Sequence, residues 1–242
     1  MGHIVDIDKA AQNLSGIGVK GAPPSTDSSS DSKAILVIIE NRVFEHATSQ
    51  LLIKCMGNLN RIVRCVQGND QKEREINLIR ELRLSTTIDS PYTHVICIAD
   101  GDDAPKEQYE NIYKFLIAED YHTTTMAIQR NGAEFLANDK PKVGVWIMPN
   151  NKDVGTFADF YLTSALPDNR ILQSIEDVLN KNKEEKLIKY KKSYHGMAKF
   201  FTYLAWQKNP ARSDEDLFNE DKFNIKNELF ITFKLWLSQV LK

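Results

Sequence analysis

At 242 residues and 27.6 kDa the chain has room for one good-sized domain or a domain with an appendage, and it is long enough to bury a core without staples. A net charge of −2 and a pI of about 6.2 exclude a globally basic nucleic-acid surface, so any such contact must be local. The cysteines Cys55, Cys65 and Cys97 are odd in number and form no CxxC pair. That excludes a disulfide framework, argues against a zinc site, and reads as buried thiols of a reducing compartment. No apolar run reaches the roughly 18 residues of a membrane span, and the N-terminus lacks a signal peptide's apolar core, so a soluble cytoplasmic protein is expected.

In chain order, residues 1–14 hold a weak apolar pattern, and 15–33 (SGIGVKGAPPSTDSSSDSK) are rich in Gly, Pro, Ser and Asp. Residues 1–33 are expected to be a flexible arm and linker, because such a stretch cannot bury enough apolar surface to offset its ordering. Residues 34–39 (AILVII) have the profile of a central strand covered on both faces, and the run ends at Glu40. Apolar side chains at helical spacing follow over 43–56, then a short strand over 61–66 and a turn at Gly68-Asn69-Asp70. Residues 71–84 predict an amphipathic helix with Ile76, Leu78, Ile79 and Leu82 facing inward. Ser90-Pro91 then breaks the chain before the apolar run Val95–Ala99, which ends in Asp100-Gly101-Asp102-Asp103.

A helix over 106–117, with Tyr109, Ile112, Tyr113 and Leu116 at helical spacing, leads to a strand over 142–148 (KVGVWIM) and a turn at Pro149-Asn150-Asn151. Strands alternating with helices predict an α/β fold over 34–168, a parallel sheet flanked by helices. Residues 155–166 continue as a helical segment. Past about residue 170 the strand signal stops, and helices over 171–187, 197–206 and 225–241 predict a helical C-terminal region spanning 169–242. One basic concentration lies here: Lys181, Lys183, Lys186, Lys189, Lys191, Lys192 and Lys199, with His195. It reads either as a solvated helix face or as a grip on a nucleic-acid backbone through Lys186, Lys189, Lys191, Lys192 and Lys199. Trp206 and Trp236 sit at helical spacing with apolar neighbours and are expected in the core.

Glu40 and Asp100 both end apolar strands. Parallel neighbours place both ends on one sheet edge, where open α/β sheets bind ligands. Crowded carboxylates want a counter-charge, and a hard divalent cation held by oxygen supplies it. Asp100 and Asp102 would hold Mg²⁺ or Mn²⁺, Glu40 would move a proton or share the ion, and Asp103 would stand behind them. The plainer alternatives are a polar residue that ends a strand and an acidic turn that caps the next helix.

In this order the residues resemble a toprim domain, the fold of topoisomerases, primases and nucleases of the overcoming-lysogenisation-defect (OLD) type. AILVIIEN with Glu40 is similar to its strand-end glutamate motif, and ICIADGDDAP with Asp100 and Asp102 to its DxD motif. Downstream, KVGVWIMPNNKDVGTFADFYL and HGMAKFFTYLAWQKNP resemble a toprim-related family of unknown function, so the likeness spans about 34–240. It implies a Mg²⁺-dependent (or Mn²⁺-dependent) nuclease of DNA or RNA, with Glu40, Asp100 and Asp102 catalytic and the metal shared among Glu40, Asp100, Asp102, Asp103 and Asp159. The OLD likeness implies a partner ATPase and a role in defence against phage, since this chain has no ATPase motif of its own.

The sequence departs from the pattern at Asn41, where Gly is usual, and at Phe44, where many relatives carry an acid. It departs again at Ala158, where G-T-[LF]-E-D carries a glutamate, leaving Asp159 to substitute. These departures motivate a reading from another class: a non-catalytic toprim-like module with a degenerate metal site, binding a protein or nucleic-acid partner. A homo-oligomer fits either reading.

Overall fold

The computed structural model describes residues 34–40, 42–57, 59–123, 129–164, 169–191, 194–207, 217–218 and 223–242. The expected arm at 1–33, Asn41 and Lys192 lie outside the described residues. The strands are β1 (Ala34–Ile39), β2 (Arg61–Cys65), β3 (Tyr92–Asp100), β4 (Ala133–Phe135) and β5 (Lys142–Met148). They form one sheet in the order β2-β1-β3-β5-β4. Every pairing is parallel except β4 with β5. The helices are α1 (Glu45–Met56), α2 (Gln71–Ser85), α3 (Pro105–Ala118), α4 (Phe157–Ser164), α5 (Asn169–Glu184), α6 (His195–Ala205) and α7 (Glu228–Val240). The mostly parallel sheet, its flanking helices and the helical C-terminal segment are as the sequence pattern predicts. Among the described residues no helix is long and apolar enough to cross a membrane.

The sheet is apolar throughout because both faces are covered, and the two-residue period of a strand divides its side chains between two layers. Leu36 and Ile38 of β1, Val95 and Cys97 of β3, and Val143, Val145 and Ile147 of β5 face α2 and α3. Ile35, Val37 and Ile39, then Ile96 and Ile98, then Trp146 and Met148 face the layer of α1 and α4 to α7. Gly144 lets α7 approach β5, since a Cβ there would lie 2.8 Å from Val240 Cγ1.

Local signals place the helices. Asp70 caps α2 by accepting from the Glu73 N–H at 2.9 Å, Pro105 opens α3, and Asn227 caps α7 through the Leu229 N–H at 2.8 Å. Leu78 and Leu82 bury one side of α2, with Ile79 on its flank. Ile76, expected inside, is 51% exposed. It lies two residues, about 200° of helical rotation, from Leu78, and so points away from the sheet. Trp236 is buried as expected, but Trp206 is 47% exposed because it caps the C-terminal end of α6, where the chain leaves the helix. Cys97 is buried, whereas Cys55 and Cys65 are only half-buried. The short β4 is an addition; three residues are too few for an alternation to show.

Candidate functional site

Parallel pairing of β1 with β3, in the register Ile39 to Ile98, delivers Glu40 beside the end of β3. Its N–H donates to the Ile98 carbonyl at 3.2 Å. Beyond Asp100 the chain must turn tightly against β5. The Gly101 N–H donates to the Met148 carbonyl at 3.0 Å, and a Cβ on Gly101 would stand 2.6 Å from that oxygen. Asp102 then takes a left-handed backbone with φ of 43°, a conformation aspartate tolerates. It is fixed by a two-way backbone bridge to Gly155, at 2.8 and 2.9 Å. The strand ends thus bring Glu40, Asp100 and Asp102 together, all buried.

Each carboxylate has its own partners. Glu40 Oε2 accepts from the Asp100 N–H at 3.1 Å and from Gln108 Nε2 at 3.0 Å. Asp100 Oδ1 accepts from the Phe157 N–H, at the start of α4, at 3.0 Å. Asp102 Oδ2 accepts from Arg74 Nη2 at 2.9 Å, and Arg74 Nε stands 3.6 Å from Glu40 Oε1. Burial, reinforced by the charges of Asp100 and Asp102, pushes Glu40 up to about 8. Burial also raises Asp102, with Arg74 pulling the other way. On Arg74 burial opposes the charge, but Asp102 and Glu40 outweigh it and hold the guanidinium above its usual range.

Mg²⁺ or Mn²⁺ needs several oxygens converging on one point. Among the described residues no group of three or more His, Cys, Asp or Glu side chains is placed to hold a metal ion. The reason lies in the bonds above: a backbone N–H holds Asp100, and a guanidinium stands between Glu40 and Asp102. As arranged, the centre does not fit a bound divalent ion.

The other expected ligands stand apart. Asp103 is exposed. Asp159 completes a capping box: its Oδ2 accepts from the Thr156 N–H at 2.8 Å, while Thr156 Oγ1 accepts from the Ala158 N–H at 3.2 Å. Burial raises the Asp159 carboxyl, and Gly196 lies so close that a Cβ there would be 2.0 Å from Asp159 Oδ1. The T-x-x-D pattern at 156–159 was legible as a cap. Phe44 and Ala158, the two departures inside the described residues, are core: the Phe44 ring stacks on Phe157 at 5.0 Å, and Ala158 is fully buried. Of the basic group, Lys186, Lys189 and Lys191 are exposed, as are Lys181 and Lys183. Lys199 instead donates to Glu176 Oε2 at 2.8 Å, and His195 Nε2 sits 3.1 Å from Glu176 Oε1.

Arg74 and Gln108 are the site residues the sequence reading missed. Both carried a signal. Arg74, Leu78 and Leu82 recur every four residues, as do Gln108, Ile112 and Leu116, so each polar residue extends the buried stripe of its helix by one turn. A polar side chain on that stripe, at the helix end nearest the strand-end acids, has to meet them.

Fold and centre together define an α/β protein with a mostly parallel sheet, in which strand-end acids close around an arginine from a flanking helix. Residues 28–242 match the family described as protein of unknown function (DUF3226), and the chain belongs to it. No curated protein and no solved structure matches the chain.

Proposed function

We propose that the chain is a toprim-like module that works by binding, its acid centre serving structure and not turnover. One observation carries this reading: Arg74 stands as the cation between Glu40 and Asp102, while Glu40 Oε2, Asp100 Oδ1 and Asp102 Oδ2 each accept from a protein donor. Glu40 is 2% exposed, so no substrate reaches it without a rearrangement. The proposed partner is a nucleic-acid backbone, met by the exposed Lys181, Lys183, Lys186, Lys189 and Lys191. Plasmid DNA and total RNA incubated with Mg²⁺, Mn²⁺ or EDTA should stay intact, while labelled oligonucleotides should be retained and released by salt. Metal-dependent cutting that Asp100→Ala/Asp102→Ala abolishes would sink the reading.

A second reading, the Mg²⁺-dependent toprim nuclease working with a partner ATPase in phage defence, has one observation of its own. Glu40 Oε1 is buried with no hydrogen-bond partner among the described residues, although it ends a strand beside the DxD pair. The same cleavage assay decides between the two.

A further inference from the structure

The centre contains a mismatch. Glu40 Oε1 and Arg74 Nε are both buried and both lack a hydrogen-bond partner among the described residues, yet they face each other at 3.6 Å. That separation is too long for a hydrogen bond. The other end of the guanidinium is well seated, 2.9 Å from Asp102 Oδ2. Arg74 therefore satisfies one acid and only faces the other.

Nor is Arg74 a loose arm that happens to fold inward. It lies in the first turns of α2, whose start is fixed by the Asp70 cap. The neighbouring Gly68 has no side chain, and a Cβ there would stand 2.5 Å from Arg74 N and 2.9 Å from Arg74 Cγ. Close approach at Gly68 and burial of Leu78 and Leu82 on the same stripe aim the guanidinium at the acids. Its side chain is 16% exposed, so solvent reaches it only at the margin.

We propose that Arg74 is the centre's built-in counter-ion: it occupies the position of a divalent cation between Glu40 Oε1 and Asp102 Oδ2, and its removal exposes a hard-cation site for Mg²⁺ or Mn²⁺. This deepens the binding-module reading, since it names what keeps the acids from a metal. Glu40 Oε1 is the atom that would gain, because a hard cation would satisfy an oxygen that the guanidinium leaves unbonded. Two carboxylate oxygens with water at the remaining positions match the way Mg²⁺ is held by one or two acids while it keeps part of its hydration.

The test is Mn²⁺ titration of the full chain by calorimetry, with Mg²⁺ as competitor. Arg74→Gln should bind Mn²⁺ at least about tenfold more tightly than wild type, because the competing occupant lowers the binding-competent fraction. Arg74→Lys, which keeps a cation in place, should behave as wild type. Arg74→Gln/Asp102→Asn should lose the gain. Should Arg74→Gln prove too unstable to titrate, its thermal midpoint must rise by several degrees with Mn²⁺ while the wild-type midpoint stays still. Equal binding by wild type and Arg74→Gln, a gain that survives Asp102→Asn, or an unstable variant that Mn²⁺ does not raise overturns the proposal. Metal-dependent nucleic-acid cleavage by wild type would overturn the binding-module reading alone, because tighter binding by Arg74→Gln would still place Arg74 in competition with the ion.

Discussion

The strand-end acids and the aromatic layer beside them are both buried, but their burial depends on different numbers of atoms. At the acids the contacts are single hydrogen bonds, among them Arg74 Nη2 to Asp102, the Phe157 N–H to Asp100, and Gln108 Nε2 and the Asp100 N–H to Glu40. In the layer each ring meets several others. Trp146 packs on Phe233 at 5.1 Å and on Trp236 at 5.2 Å, and Phe160 also reaches Phe233, at 5.5 Å. Losing one partner at the acids uncovers a charge, whereas losing one ring leaves a cavity that its neighbours partly fill. Phe157 joins the two regions, its N–H on Asp100 and its ring on Phe44.

The largest effect is expected in the layer. Phe233→Ala should cost about 3–5 kcal/mol in urea unfolding, and Phe233→Leu under about 1.5 kcal/mol. A loss below about 1 kcal/mol for the alanine would mean that the layer does not anchor α7. Next comes Arg74→Ala, at about 2–3 kcal/mol at neutral pH, because it strands the buried Asp102 carboxylate without its cation. Combined with Asp102→Asn it should cost less than the sum of the single changes, and a purely additive double-mutant cycle would dissolve the pair.

Gly196→Ala should cost about 1–2 kcal/mol by pushing Asp159 off its capping position, and it should be nearly silent in an Asp159→Ala background. Equal losses in both backgrounds would place the strain elsewhere. Glu40→Gln tests the acids by pH. Folding raises Glu40 from 4.5 to about 8, so within that window the folded protein holds a proton that the unfolded chain has released. Stability contributed at this position therefore falls as pH rises from about 4.5 to about 8 and is level above that. Glu40→Gln keeps an acceptor for Asp100 and Gln108 without the titration, so its thermal midpoint should exceed wild type by a few degrees at pH 8 and lose that lead by pH 5. A difference that does not change with pH would show that Glu40 is not held protonated.

The smallest effect belongs to Lys199→Ala, at under about 1 kcal/mol, since its pair with Glu176 is partly solvated. The Lys199 hydrogen bond holds Glu176 below its usual range, so the stability it adds is present at neutral pH and is lost as pH falls through the carboxylate range. Urea midpoints of wild type and variant should therefore differ at pH 7 and converge by pH 3.

Much of this architecture follows from local pattern. A β-branched apolar run such as AILVII has the profile of a strand covered on both faces, and the acids at 40 and 100–103 fall where the apolar runs stop. Helices with a clear stripe were equally legible, as was the end of strand signals past about residue 170. Ile76 departs from the expected inward stripe because nearness to Leu78 in sequence is not nearness on a helix face. Asp159 is expected as a ligand because it adjoins Ala158, where the related pattern carries a glutamate, while the Thr156 cap that claims it is a local bond of the same residues.

What the sequence determined by itself is the kind of each element and the positions of the acids at the sheet edge, because strand and helix periods and apolar runs are short-range properties of the chain. What only the tertiary structure decided is which group neutralises each acid. Glu40 finds Gln108 from 68 residues away and Asp102 finds Arg74 from 28. Coulombic and hydrogen-bond partners are chosen by distance in space, and that distance exists only once α2 and α3 are packed against the sheet.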